Sequence, residues 1–411
     1  MDVVCVGAGP AGLYFATLTK LRDPDASVTV LERNPSGVTF GWGVTFSDDV
    51  LDVLYRGDRV SAERIQRDPA SWADQVVLVG DKPVAHLGGY GFAIGRHRLL
   101  ELLAERATEL GVTIRYEQPV DDLAAVLAEY PGADLVLAAD GVNSVLRDAV
   151  PGFGTEVEHG ANQYLWLGAG RPFAEFSYGF ERTDAGWIWY SAYPFDGQTT
   201  TFIPECAPAT WRGLGFDQLG PDQTLRQLER IFARHLRGAP LLMQTKPTDT
   251  RAPWARFTWV SNRAWHDGRL VLAGDAAHTS HYSIGNGTKL AFDDVFELDR
   301  QLAAHPGDTA AALRAYQSER APAVAARQRI AGNCAGWFER LDDFLGADPD
   351  PVRVAYGLRT SGGSAAAPPS GVPWLLHRAT QYSAGRWARG QLSSAKRRQR
   401  ARGTLGGVDA R

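Results

Sequence analysis

The chain has 411 residues, 44% of them hydrophobic and 22% charged, which is enough for two or three domains around a large buried core. A net charge of -4 supplies no field that would draw it to nucleic acid or to an anionic membrane, so chemistry on soluble small molecules is the default. Three widely spaced cysteines, Cys5, Cys206 and Cys334, argue against a disulfide framework and against a zinc site; no metal is expected.

Asp2 to Val6 reads as a buried strand, followed at once by Gly7-Ala8-Gly9-Pro10-Ala11-Gly12, a helical run from Leu13 to Leu21 and a second strand from Ser27 to Leu31. This is the order of a dinucleotide-binding βαβ unit. Gly7 makes the tight turn, Gly9 admits a pyrophosphate to the helix N-terminus, and Gly12 permits close packing of helix on strand. Glu32, at the end of the second strand, has the spacing past Gly12 that suits a carboxylate accepting from ribose hydroxyls and repelling a 2′-phosphate. FAD or NAD fits there, and NADP does not. Phe40 to Ser47 is rich in glycine and aromatics, and reads equally as the lining of a flat ring or as a turn with core aromatics. A helix follows near Asp48 to Tyr55, with Ser47 as N-cap. Gly95-Arg96-His97-Arg98 opens a further helix to Leu110. Its first turn is disfavoured for cations unless an anion lies nearby, which marks Arg96 as a phosphate or flavin contact.

Val112 to Tyr116 and Ala133 to Ala138 read as strands, the second ending in Asp140-Gly141-Val142-Asn143-Ser144 with Arg147 beyond. From Phe153 to Trp265 the texture becomes short aromatic strands broken by glycine and proline, expected as an antiparallel sheet over a substrate, with one helix from Leu225 to Leu236. Arg269 to Ala273 is again a strand. Gly274-Asp275 ends it, and Gly285 and Gly287 open a helix carrying Asp293, Asp294 and Leu298, so that backbone N–H groups face an anion and Asp275 can accept from a ribityl or ribose hydroxyl. Long helices are expected over Leu290 to Leu302 and Thr309 to Leu345, a loop over Arg359 to Pro373, and a solvated basic tail at Lys396 to Arg402. No apolar secretory stretch follows Met1 and no run of about 18 apolar residues occurs, which points to a cytoplasmic protein without a membrane span.

The glycine fingerprint with Glu32, then Asp140-Gly141, then Gly274-Asp275, resembles the single-component FAD-dependent aromatic hydroxylases, the class of para-hydroxybenzoate hydroxylase. Gly41 to Asp48, Ala192 to Asp196, Thr201 to Cys206 with Trp211, and Gly274 to Asp293 resemble above all the subgroup of salicylyl-CoA 5-hydroxylase and anthraniloyl-CoA monooxygenase. The resemblance implies an α/β fold, a Rossmann-like FAD-binding domain with an inserted antiparallel-sheet substrate domain and C-terminal helices. Residues 1–70, 95–155 and 265–340 would form the discontinuous FAD domain, 71–94 and 156–264 the substrate sheet, and 341–411 a C-terminal helical and loop region. By the same resemblance Gly7, Gly9 and Gly12 cradle the pyrophosphate, Glu32 with neighbouring Arg33 holds the adenosine end, and Arg96 contacts the cofactor. Asp140, Gly141 and Arg147 serve FAD and the nicotinamide donor, Gly274 and Asp275 the ribityl chain, and Gly285, Gly287 and Lys289 the isoalloxazine. Two departures from the family stand out: His281-Tyr282-Ser283 replaces the proline after the Gly-Asp motif, and Lys289 replaces an asparagine.

The implied reaction is hydroxylation of an electron-rich ring through a flavin C4a-hydroperoxide, with NADH or NADPH as transient reductant and dioxygen as co-substrate. The implied substrate is a salicylyl- or anthraniloyl-type thioester on coenzyme A or a carrier protein, with an indole compound as the alternative. Phe46, Trp189 and Tyr193 are candidates to line the ring pocket, though aromatics serve cores as readily. His278, His281 and Tyr282 are candidates for catalysis in the flavin loop, where a neutral imidazole accepts a proton or simply satisfies the loop. A flavin-dependent halogenase would need a catalytic lysine, for which Lys82 is the candidate, and its Trp-x-Trp-x-Ile-Pro string is broken here by Ser191-Ala192. A flavoprotein without turnover is the remaining alternative.

Overall fold

Apolar segments far apart in sequence meet in one twisted sheet. The computed structural model describes residues 1–67, 69–245, 250–346, 348–363 and 370–386. The sheet runs His266–Asp267, Leu270–Leu272, Leu135–Ala138, Asp2–Val6, Ser27–Leu31, Thr113–Arg115, parallel throughout except for the short first hairpin. Parallel strands buried on both faces read as unbroken apolar runs, and the four residues of Leu135–Ala138 are all wholly buried. Three helices, Pro10–Arg22, Arg96–Glu109 and Gly287–Ala304, pack together beside this sheet. Pro10 starts the first of them without losing a hydrogen bond, and Lys20 and Arg22 in its last turn complement the dipole.

A second sheet of eight strands carries Leu241–Leu242, Leu167–Ala169, Thr200–Cys206, Gly186–Pro194, Phe176–Thr183, Gln75–Val79 and Ala85–His86 in that order, with Gln163–Tyr164 pairing on Thr200–Cys206. Strand alternation gives it two different faces. On one, Ile188, Tyr190 and Phe202 pack on Leu228 and Phe232. On the other, Tyr178, Phe180, Trp187 and Trp189 pack on Trp337, Phe338, Leu341 and Val354. The helix Thr309–Glu339 joins the two cores, because Leu313 and Tyr316 near its start belong to the first and Trp337 and Phe338 near its end to the second. A two-stranded ribbon, Thr155–His159 with Thr258–Asn262, lies between the sheets in the chain path.

The structure corrects several sequence expectations. The large sheet is not wholly antiparallel, since Gln75–Val79 pairs parallel to Phe176–Thr183. Phe40 to Ser47 is not only a glycine turn: Gly43–Phe46 is a strand in a separate three-stranded sheet with Gly91–Gly95 and Ala70–Trp72. The helix foreseen at Leu225 starts at Pro221, ends at Ile231 and is followed by a short turn, Ala233–Leu236, while Pro208–Gly213 is an additional helix. Thr309 to Leu345 breaks at Arg340. Helices Pro351–Thr360 and Gly371–Ala379 take both ends of the expected 359–373 loop. The middle of that loop and the basic tail lie outside the described residues. Among the described residues no helix is long and apolar enough to cross a membrane, and Cys5, Cys206 and Cys334 are free and buried.

Candidate active site

The βαβ turn is built by backbone geometry. Gly7 has φ +104°, a conformation few side chains tolerate, and its N–H donates to the Leu31 carbonyl at 2.8 Å. A Cβ on Gly12 would stand 2.0 Å from the Gly7 oxygen, so the helix sits directly on the turn. Gly9 caps the helix, and a Cβ there would meet nothing within 4 Å, because it faces open space. Glu32 is held across this turn: one carboxylate oxygen accepts from the Ala8 N–H at 2.9 Å, the other from the backbone and side chain of Asn34 at 2.9 and 2.7 Å.

Gly7, Gly9, Glu32, Arg33, Arg96, Asp140, Gly141 and Asp275 all line one groove of about 880 Å³. Eight residues picked from separate stretches of sequence therefore share a surface. Asp275 is exposed to this groove yet sits so deep that burial pushes its carboxyl above the ordinary value, against the pull of His278 and Arg96. Burial likewise pushes Arg96 down, while the carboxylates of Asp275 and Glu32 act to keep it charged. Asp140 is raised by burial too, and its Oδ1 has no partner among the described residues. An extended ligand with hydroxyls at both ends and an anionic middle matches this set: carboxylate acceptors at Glu32, Asp140 and Asp275, a desolvated guanidinium at Arg96, and the clear approach at Gly9. The residues fit FAD on those grounds.

Other expected contacts lie elsewhere. Arg147 is 3% exposed and braces the groove loop from behind, its Nη1 donating to the Val142 carbonyl at 2.9 Å and its Nε to Asp148 at 2.9 Å. Gly274 donates its N–H to Asp294 Oδ2 at 3.0 Å. The same oxygen meets His278 Nε2 at 2.7 Å, and Asp294 Oδ1 accepts from Arg320 Nε at 2.9 Å. His278 thus belongs to a buried network under the Asp275 turn and not to the groove, a correction to its catalytic assignment. Lys289 is tied to Asp293 at 2.6 Å, one helical turn on. Gly285 has φ +60°, and a Cβ there would strike Thr45 Oγ1 at 2.6 Å, which draws the loop Tyr282 to Gly287 against the Gly43–Phe46 strand.

The three aromatic candidates prove to be packing residues. Phe46 is buried in the nucleotide-side core and stacks on Phe92. Tyr193 is buried and donates its hydroxyl to the Gly43 carbonyl at 2.9 Å, clamping the large sheet to the Gly43 strand. Trp189 stacks on Phe338 at 5.8 Å within the second core. None of the three lines the groove or the second cavity, of about 540 Å³, which Ser283 and Ile284 share with Gln75, Tyr178, Cys334, Phe338 and Arg359. His281 stacks on Tyr282 at 4.2 Å with its Nδ1 against Ser283 Oγ at 2.9 Å, and burial pushes its pKa down to about 3, so the ring is neutral in ordinary buffers.

Sequence reasoning missed Glu205. Its side chain is 3% exposed in the all-buried strand Thr200–Cys206, where Oε2 accepts from the Tyr282 hydroxyl at 2.6 Å and Oε1 from Asn162 Nδ2 at 2.7 Å. Burial pushes its pKa up to about 7. The signal was present, since a lone carboxylate stands in the apolar run Thr200-Thr-Phe-Ile-Pro-Glu-Cys206.

Comparison with known proteins agrees with this geometry. The FAD binding domain family matches residues 1–331. The chain is 35% identical over 371 residues, 88% of its own length and 69% of the other's, to a salicyloyl-CoA 5-hydroxylase of a Streptomyces species. It is 34% identical over 349 residues, 84% and 90% of the two lengths, to the 3-hydroxy-4-methyl-anthranilyl aryl-carrier-protein 5-monooxygenase of Streptosporangium sibiricum. In fold it matches the tetrameric form of 2-methyl-3-hydroxypyridine-5-carboxylic acid oxygenase, with a TM-score of 0.64 at 19% identity over 87% of this chain and 96% of that one. With a family match over most of its length, two relatives that share about a third of its residues and a groove whose donors and acceptors fit the cofactor, the chain belongs to the FAD-dependent aromatic monooxygenases, which use NAD(P)H and dioxygen.

Proposed function

We propose that this monooxygenase hydroxylates an aromatic ring bearing an ortho hydroxyl or amino group and presented as a thioester on coenzyme A or on a carrier protein. The observation that carries the reading is that the two relatives described above, from different genera, are both named for aryl thioesters. The cavity bordered by Ser283 and Ile284 supports it. Its apolar walls, Tyr178, Phe338 and Ile330, suit a ring, and the exposed Arg359 at its edge suits an anionic group on a long arm. Remote contacts to such an arm contribute binding energy while only the ring enters the dry site.

In this reading bound FAD supplies the redox chemistry, taking reducing equivalents from NADH or NADPH and delivering one oxygen atom of dioxygen to the ring. The chain's own residues bind, orient and exclude water. Glu32 and Arg33 hold the adenosine end, Gly7 and Gly9 the pyrophosphate, Arg96 and Asp140-Gly141 the middle, and Asp275 the ribityl chain. Arg147, Gly274 and His278 keep those loops in place, and the loop through Gly285, Gly287 and Lys289 faces the ring system. Residues 1–70, 95–155 and 265–340 act as the cofactor half, and the large sheet with Phe46, Trp189 and Tyr193 as the packed cover that keeps water out. The halogenase alternative lacks its lysine, because Lys82 is engaged by Asp348 and by the Pro349 carbonyl at 2.6 Å in the turn before the edge strand Ala85–His86.

Two measurements test the reading separately. Asp275→Ala is expected to lose flavin on dilution, and full occupancy in that variant would contradict the groove assignment. Salicylate, its coenzyme A thioester, a carrier-bound form and tryptophan derivatives are then compared for substrate-stimulated NAD(P)H oxidation and for product mass. Thioesters are expected to turn over, while hydroxylation of a free acid or an indole with no thioester turnover would overturn the substrate class and leave the monooxygenase intact.

A further inference from the structure

The four most exposed large apolar side chains among the described residues lie together near the C-terminus. Val372, Leu375 and Leu376 in the helix Gly371–Ala379 are 68, 61 and 62% exposed, and Tyr382 just beyond it is 69% exposed. The first three recur at the i, i+3, i+4 spacing of one helical face. A surface helix ordinarily buries such a face, but the inward face of this one is already occupied by other residues. Trp374 meets the Tyr356 ring edge-on at 5.2 Å, and buried His377 brings its Nε2 to 3.1 Å from the Val352 carbonyl. Single exposed apolar residues are ordinary, whereas a stripe of them marks a contact surface.

The stripe stands beside the cavity assigned to the ring. The helix packs on Pro351–Thr360, whose Leu358 and Arg359 line that cavity. Gln381 ties its far end to the edge strand Ala85–His86: Oε1 accepts from the His86 N–H at 2.8 Å, and Nε2 donates to the His86 carbonyl at 2.9 Å. Leu87, Gly88 and Gly89, the next residues of that segment, line the cavity as well. Two walls of the cavity are therefore bridged by the helix that bears the stripe. Charge divides at the same place. Residues 351–411 hold eleven Lys and Arg against the single acid Asp409, while residues 1–350 hold 32 against 46. Arg359 and Arg378 are exposed cations of this basic end. An acidic partner is repelled by most of the chain and drawn to its C-terminal part.

We propose that the face formed by Val372, Leu375, Leu376 and Arg378 docks an acidic carrier protein, whose thioester arm then enters the cavity past Arg359. The proposal rests on the reading of the substrate as an aryl thioester and commits it to one of the two carriers. An arm tethered to a protein cannot reach the cavity without bringing that protein's surface against whatever surrounds the mouth. Apolar residues set among cations suit a partner helix that shows apolar residues set among carboxylates. Coenzyme A would use the cations alone and leave the apolar stripe in water. Docking on the stripe also supplies binding energy remote from the ring, which a free aromatic acid lacks.

The test uses the full-length flavoprotein, its Leu375→Glu and Arg378→Glu variants, and an acidic aryl carrier protein. Binding of the fluorescently labelled carrier, with its arm unloaded, is titrated first. Turnover is then compared for the salicylyl-loaded carrier and for salicylyl-CoA. The wild type is expected to bind the carrier and to favour the loaded form in kcat/KM. Each variant is expected to lose carrier binding and kcat/KM for the loaded carrier on the order of 10-fold, with flavin content, melting temperature and kcat/KM for salicylyl-CoA unchanged. A wild type that does not bind the carrier and uses salicylyl-CoA at least as well overturns the proposal, as does a variant that loses both substrates equally. So does a Leu375→Glu protein that melts several degrees lower, because the chain itself then covers the stripe. Sedimentation of the wild type with phosphatidylglycerol vesicles, or a dimer in solution, lost in Leu375→Glu while carrier binding persists, would assign the stripe to a membrane or to a second copy and overturn it too. If Leu375→Glu does not fold, Arg378→Glu, a change at an exposed charge, decides on the same readouts. Failure of the thioester reading shows separately, as turnover of free salicylate with none of either thioester, and leaves the unloaded-carrier titration to judge the docking.

Discussion

Asp294→Asn is expected to destabilise the protein by roughly 3–5 kcal/mol, the usual range when one partner of a buried ion pair is removed. Asp294 is wholly buried and takes three donors, the Gly274 N–H, His278 Nε2 and Arg320 Nε. Burial pushes its carboxyl up, but His278, Arg320 and the Gly274 N–H outweigh burial and hold it below the ordinary value. The asparagine keeps the shape and leaves the Arg320 guanidinium, 11% exposed, with only the more distant Asp293 carboxylate at 3.8 Å. Because the folded-state pKa is depressed, the stabilisation is fully present above the unfolded value and is lost as pH falls through the folded one. Wild type and variant should therefore differ fully at neutral pH and converge only below pH 3.8. The single amide oxygen cannot serve both Arg320 and the pair of Gly274 N–H and His278 Nε2, so the network under the Asp275 turn loosens and flavin affinity falls with stability. Urea unfolding of apo and holo protein measures both; a change under about 1 kcal/mol, no more than an ordinary hydrogen bond, would refute the network as the anchor of the turn.

The second large effect separates two glycines of one motif. Gly12→Ala places a methyl 2.0 Å from the Gly7 carbonyl oxygen, a backbone atom that cannot swing aside, so helix and turn must part. Overpacking of this kind costs about 3 kcal/mol. Expressed wholly in the flavin-binding conformation, that is roughly a 100-fold loss of affinity at about 1.4 kcal/mol per decade. Gly9→Ala has no protein atom within 4 Å of its new carbon. It should melt like the wild type and lose flavin affinity alone, because its methyl enters the groove where the pyrophosphate is expected. Flavin titration beside thermal melting tells the two apart. Equal behaviour of the two variants in both measurements would refute the division between packing glycine and ligand glycine.

The groove was legible in the sequence because each of its parts is local. A strand, a turn and a helix start fix Gly7, Gly9 and Glu32 relative to one another within one supersecondary unit, and Gly274-Asp275 repeats the device. The contact of Glu205 with Tyr282 was not legible, since the two are 77 residues apart and meet only through the register that sets Trp189 opposite Glu205. His278 shows the opposite error. Its position in the loop suggested catalysis, but Asp294, 16 residues later and beneath the loop, claims its nitrogen. Phe46, Trp189 and Tyr193 were recognisable as buried, but an aromatic residue does not declare whether it faces a ligand or a neighbouring strand. The composition of 359–373 spoke for a loop, while the Asp350 side chain caps Pro351–Thr360 by accepting from the Val352 N–H, a local signal that outweighed it.

The strand order of the nucleotide sheet also bears on how the protein is made. Leu135–Ala138 gains its second neighbour only when Leu270–Leu272 arrives, and the helix bearing Asp294 follows later still. On the ribosome, a nascent chain that has reached only Trp265 therefore carries Leu135 to Ala138 as an open apolar edge, the kind of surface that pairs with other chains. The first half cannot be completed before the second is synthesised, so neither piece is a natural fragment for separate expression. Co-expressed halves split at the exposed turn around Gly268, just before Leu270–Leu272, would meet the same edge between molecules.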